Sequence, residues 1–176
     1  SIVVANRLGN ESNAYFAVAW AMGSVLISVP IAVSMSLFAE GSHDEACLGR
    51  SVGQSLKMTF LILTPSVTLV VLLAHEILLV FRPEYAENAA TLLRLFAVSA
   101  FPVAVNYLYF GTMRVQRRMR MVVLLVALAG AATLALSYLL LSRMGITGAG
   151  VAWLVSQSCV ALWVIGGGFK RRLTRS

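Results

Sequence analysis

Long apolar runs separated by short polar turns set the pattern of this chain. The runs cover residues 14–38, 58–81, 89–112, 121–141 and 149–165. At about 1.5 Å of helix rise per residue, runs of roughly 20 residues cross a hydrocarbon core of roughly 30 Å. Strands of a membrane barrel would be about ten residues long and alternate in polarity. These runs are longer and apolar on every side. The pattern therefore predicts an all-α, polytopic membrane protein with five transmembrane helices, forming a single transmembrane domain over residues 1–176.

The turns and breakers refine this. The first run follows Arg7, Asn10, Glu11 and Asn13, carries Pro30, and has Tyr15 and Trp20 near its start, where amphipathic rings favour the membrane interface. The second carries Pro65 in its first third. The third follows the polar turn Phe81 to Asn88, holds Arg94 a few residues in and Pro102 near its middle, and ends on Arg114, Arg117, Arg118 and Arg120. Ser142 to Gly148 divide the fourth run from the fifth, and Gly166, Gly167 and Gly168 close the fifth ahead of a basic tail at 169–176. Between the first two runs, Ser42-His43-Asp44-Glu45 has the form of a capping box. Leu48, Val52 and Leu56 follow at four-residue spacing, which predicts an amphipathic helix over 43–57 on the membrane surface. The alternative is that these residues are the polar first turns of the second span. Ala and Gly over 127–132 offer a face for close helix packing.

Composition narrows the class. With 59% hydrophobic and 12% charged residues, the chain has too few polar side chains to cover a soluble globule of its size. The net charge of +7 lies in short loops and the tail, which suits anionic lipid headgroups and not nucleic acid. Cys47 and Cys159 lack metal-ligand or redox spacing and are expected to be packing residues. Nothing in the pattern calls for a cofactor or a metal. Arg50, Lys57, Arg114, Arg117, Arg118, Arg120, Lys170, Arg171, Arg172 and Arg175 fall on one side of the membrane, against Arg7, Arg82 and Arg143 on the other. The excess marks the cytoplasmic side, so in the cell's inner (plasma) membrane the C-terminus is expected to be cytoplasmic and the N-terminus of this chain to lie on the outer side. The chain opens on Ser1, and a further span upstream would explain how its N-terminus crosses.

The order of features carries a resemblance. Leu8-Gly9-Asn10-Glu11-Ser12-Asn13-Ala14-Tyr15 leads into a proline-bearing span, broken at Phe38-Ala39-Glu40-Gly41-Ser42. RPEYAENAATLLRLFAVSAFP follows at 82–102, then the basic turn, then GITGAGVAWLVSQ at 145–157. The chain resembles one six-helix half, minus its first helix, of a polysaccharide or O-antigen-repeat flippase. Such flippases belong to the superfamily of multidrug, oligosaccharidyl-lipid and polysaccharide exporters and share its MATE-like fold. The resemblance implies a transporter of two halves around a central cavity. It would flip an undecaprenyl-pyrophosphate-linked oligosaccharide outward by alternating access, for lipopolysaccharide or another surface polysaccharide. The remaining half, in the same or another chain, is an implied partner, and the basic tail suggests the second half.

Candidate chemistry can be set against that substrate. A lipid pyrophosphate needs cations along a wet path, and a guanidinium suits it through its fork of donors. Arg94 is the basic residue inside a span: it either lines a cavity or snorkels to the outer headgroups. His75 and Glu76, near the outer end of the second span, would pair with Arg94 or carry a coupling proton, or else form an interfacial pair. Asn106, Tyr107 and Tyr109 are placed to hydrogen-bond sugar hydroxyls, the tyrosines alternatively forming an aromatic belt. Pro30, Pro65 and Pro102 are candidate hinges, because each removes a backbone hydrogen bond. Ser24, Ser28, Ser34, Ser36, Gln157 and Ser158 are expected to bond between helices. No nucleophile and base stand together, which argues against an enzyme. A cation-coupled drug exporter of the same superfamily, or a membrane anchor without transport activity, remains the alternative.

Overall fold

Each apolar run folds as a helix that outruns it. The computed structural model describes the backbone of residues 2–41 and 48–168, and the side chains of 12–37, 39 and 51–166. Its helices are α1 (Ile2–Gly41), α2 (Leu48–Leu79), α3 (Pro83–Val115), α4 (Met119–Met144) and α5 (Ile146–Trp163), the last running into a π-helical turn at Val164–Gly168. All five are long and apolar enough to span a membrane, and the protein is a polytopic membrane protein.

Local chemistry explains the boundaries. Pro83 sits in the first turn of α3, where its fixed φ is already helical and its missing N–H has no partner to lose, and Glu84 lies beside the positive end of the helix dipole. At the other end of α3, Arg117 takes a left-handed φ of 54°. Its N–H donates to the Arg114 carbonyl at 3.0 Å, and that of Arg118 to the Met113 carbonyl at 2.9 Å. This is the Schellman closure, with arginine where glycine is usual. The turn into α5 is a single residue, Gly145, at φ 60° and ψ −145°.

α3 is the hub. It packs against α1, α2 and α5, while α4 leans chiefly on α5. Close approach depends on glycine at the contacts: a Cβ on Gly23 of α1 would lie 2.7 Å from the Cβ of Phe96, and one on Gly150 of α5 would lie 2.6 Å from Leu92 Cδ1. Large aliphatic side chains of α2 and α4, including Leu61, Leu72, Val123 and Leu139, remain exposed, as a bilayer solvent permits.

Several expectations meet a different outcome. Residues 48–57 run without a break into the second span as part of α2, because no helix stop separates them. The capping box at 42–45, Cys47 and the tail at 169–176 lie outside the described residues. Trp20 joins α1 to α3 and α5, with ring centroids 5.1 Å from Phe96 and 5.0 Å from Trp153, both edge-on. It stands about 7 Å from the middle of the span Ser12–Leu37, inside the hydrocarbon and not at its interface. Tyr15, one turn and more outward, packs edge-on against Tyr85 at 5.0 Å. Cys159 is exposed on α5. The Ala and Gly stretch at 127–132 faces outward, apart from Ala129, and Gly130 has no neighbour within 4 Å of its Cβ position.

Candidate functional site

α3 keeps one stripe uncovered. Glu84, Glu87, Asn88, Thr91, Arg94 and Val98 recur at three- and four-residue spacing and are exposed, whereas the rest of the helix between them is largely buried. Arg94 and Phe96 are about 200° apart around the helix. Since Phe96 meets Gly23 of α1, Arg94 points to the opposite side. There it reaches α2, where its Nε donates to the Val71 carbonyl at 3.1 Å.

Depth can be read independently from both helices. Arg94 is five residues from the centre of the span Pro83–Val115, or about 8 Å. Val71 is six residues from the centre of Ser51–Leu79, or about 9 Å. The two agree, and they put the guanidinium inside a half-thickness of about 15 Å. A bare arginine at the bilayer centre costs about 2.5–3.5 kcal/mol on insertion scales. The bond to Val71 uses the Nε hydrogen and leaves the terminal nitrogens of the fork without a hydrogen bond to described residues. That arrangement fixes the direction of the guanidinium and keeps its donors open to an anion or to water.

His75 lies one turn beyond Val71 on α2, and Glu76 follows it; both are exposed. By the same rise they stand about 15 Å or more from the centre of α2, at the headgroup boundary. Arg94 bonds to neither of them, its partner being the Val71 carbonyl. Asn106 and Tyr109 are each 1% exposed, on the far side of the midplane from Arg94. Sugar hydroxyls do not reach either of them in this conformation. The Nδ2 of Asn106 donates instead to Gln157 of α5, at 3.0 Å to the backbone carbonyl and 2.9 Å to Oε1. Tyr107 is half-buried, its ring edge-on to Phe110 at 6.1 Å.

Among the described residues, buried polar atoms without a partner are Asn106 Oδ1, Tyr109 Oη and, on α5, Ser156 Oγ, with Asn13 Oδ1 apart from them on α1. Leaving such an atom unsatisfied costs about 1–3 kcal/mol. Among the serines expected to bridge helices, Ser34 does so, donating from α1 to the Tyr107 carbonyl at 2.7 Å. Ser24 and Ser28 bond back to their own helix, at the Ala21 and Val25 carbonyls. A contact that sequence reasoning missed is Trp153, whose Nε1 donates to Ser99 Oγ at 3.2 Å. Its signal is the pairing of periods, since Trp153 and Gln157 are one turn apart on α5. Among the described residues no group of His, Cys, Asp and Glu could hold a metal ion.

Comparison with known families completes the picture. A model of the family described as lipid II flippase MurJ matches residues 4–172. No curated protein and no solved structure matches the chain.

Proposed function

The chain belongs to the lipid II flippase MurJ family, and from that membership we propose that it moves a lipid-pyrophosphate-linked saccharide between leaflets, with Arg94 meeting the pyrophosphate. The family consists of flippases for lipid-linked precursors, which are transporters and not enzymes. The observation that carries the proposal is the guanidinium of Arg94. It is held by one hydrogen bond on an exposed stripe about 8 Å from the span centre, with its remaining donors open. A pyrophosphate offers several acceptor oxygens and multiple negative charge, the complement of such a fork.

The lipid carrier and pyrophosphate are common to lipid II and to the O-antigen-type oligosaccharide expected from the sequence. The saccharide distinguishes them. On this reading the basic turn Arg114 to Arg120 lies on the cytoplasmic side and meets anionic headgroups, and a second half of the transporter completes the cavity.

The test is the appearance of labelled substrate in the outer leaflet of cells that depend on this chain, with lipid II and O-antigen-type lipid compared. Charge-assisted hydrogen bonds contribute about 1.5–3 kcal/mol, so Arg94→Ala should slow flipping by roughly 10- to 150-fold. Arg94→Lys, which keeps the charge and loses the fork, should fall between. Wild-type flipping by a normally inserted Arg94→Ala protein would remove the assignment. A rate measurable with just one of the two lipids would fix the saccharide.

A further inference from the structure

Pro102 divides α3 near its middle. Its ring nitrogen has no hydrogen to give to the Val98 carbonyl, so the helix is least supported between those residues. Interhelical hydrogen bonds bracket this point. On the outer half, Arg94 bonds α2 through Val71, and Ser99 accepts from Trp153 of α5 while donating to the Phe96 carbonyl at 2.7 Å. On the inner half, Ser34 of α1 donates to the Tyr107 carbonyl, and Asn106 donates to Gln157 of α5. One helix, α5, therefore grips both halves of α3 with side chains a single turn apart.

The grip is unequal. Between Ser99 and Asn106 lie seven residues, or about 10 Å of helix; between Trp153 and Gln157 lie four, or about 6 Å. The reach of the indole makes up the difference, so the two contacts together define one angle between the halves. The unpartnered Asn106 Oδ1 and Tyr109 Oη belong to the inner half of this seam, and Ser156 Oγ lies at the middle of the fifth span, one residue before Gln157. Polar atoms that gain partners when a seam parts favour its parting; among the described residues the other such atom, Asn13 Oδ1, lies on α1 and not on α3 or α5.

We propose that Trp153–Ser99 and Asn106–Gln157 form a latch across Pro102, and that Asn106 and Trp153 are positioning residues. They set the angle of α3, and so where Arg94 stands relative to the cytoplasmic half of the pathway. The inner contact is the one that releases. This rests on the flippase reading for its transport readout alone.

The experiment uses the full protein in lipid vesicles, with Cys47 and Cys159 replaced by serine and spin labels on paired cysteines. Labels at Arg114 and Leu162 report the inner half of α3 against α5, and labels at Glu87 and Thr147 report the outer half. Asn106→Leu, close in shape and unable to donate, should shift or split the inner distance by several ångströms and leave the outer one unchanged. Turnover should change at least fivefold, with the substrate concentration at half-maximal rate moving less than twofold. Asn106→Gln combined with Gln157→Asn exchanges the side-chain lengths and should restore both readouts. Trp153→Phe, which keeps the ring and removes the donor, should move the outer distance instead. If Asn106→Leu fails to fold, Asn106→Ala, which also loses the donor, takes its place. Unchanged distances in both the Asn106 and Trp153 variants overturn the latch, as does a lengthened inner distance that the exchanged pair fails to restore. Because distances are read without substrate, a protein that does not flip lipid would sink the transport reading and leave the latch decided.

Discussion

Gly23 is a point of close approach between α1 and the hub, and replacing it with alanine tests whether that closeness is structural. An added Cβ would sit 2.7 Å from the Cβ of Phe96. Carbon atoms pack at about 3.5–4.0 Å, so the helices must part by roughly 1 Å. Neither atom can swing away, because each is fixed to its own backbone. A gap of that size forfeits a quarter to a half of each contact well it opens, and overpacking of this kind costs about 1–3 kcal/mol. Gly130 of α4 supplies the control. Its Cβ position has no neighbour within 4 Å, so Gly130→Ala should gain about 0.8–1 kcal/mol from helix propensity alone. The propensity gain is common to both glycines, so unfolding of the two variants in mixed micelles, followed as loss of helical circular dichroism against added denaturing detergent, should separate them by the overpacking cost alone, about 1–3 kcal/mol. The Trp20 ring, 5.1 Å from Phe96, should change its fluorescence in the Gly23 variant. If Gly23→Ala proves as stable as Gly130→Ala with the fluorescence unmoved, the close contact of Gly23 with Phe96 is refuted.

Two further substitutions give effects of opposite sign. Gly145→Ala places a side chain at φ 60° and ψ −145° with open space around it, so its whole effect is backbone strain; a loss of about 1–3 kcal/mol in the same unfolding titration is expected. Tyr109→Phe removes a buried hydroxyl that has no partner, so it should leave stability unchanged or raise it by about 1–2 kcal/mol in the same titration. A loss of stability would instead show that the hydroxyl has a partner.

The number of spans, their order and the basic turn were legible in the sequence because hydropathy and charge act along the chain. Which face of each helix meets which neighbour was not, because that depends on rotational phase. Ser24 and Ser34 look alike in the sequence, yet Ser34 reaches the Tyr107 carbonyl and Ser24 turns back on its own helix. Gly23 and Gly111 set that phase by admitting Phe96 and Ser34 respectively, and nothing in a hydropathy pattern distinguishes them from Gly130, which meets nothing. Arg94 could be found by type, as a cation inside a span. Its partner could not, since a backbone carbonyl carries no sequence signal.

The position of α3 inverts the rule for soluble proteins. Of the five spans it has the lowest mean hydropathy and the largest buried share. Lipid chains are as apolar as leucine, so a transmembrane helix gains little by burying leucine, and the strongly apolar α2 and α4 stay at the periphery. What the centre requires is close approach and hydrogen bonds that hydrocarbon cannot supply. α3 meets this with Ala97, Ala100 and Ala104 against α2, and with Ser99 and Asn106 against α5. The same small and polar residues lower its hydropathy. The weakest apolar signal in the chain therefore marked its core, and it marked the helix that carries both the candidate phosphate contact and the proposed hinge.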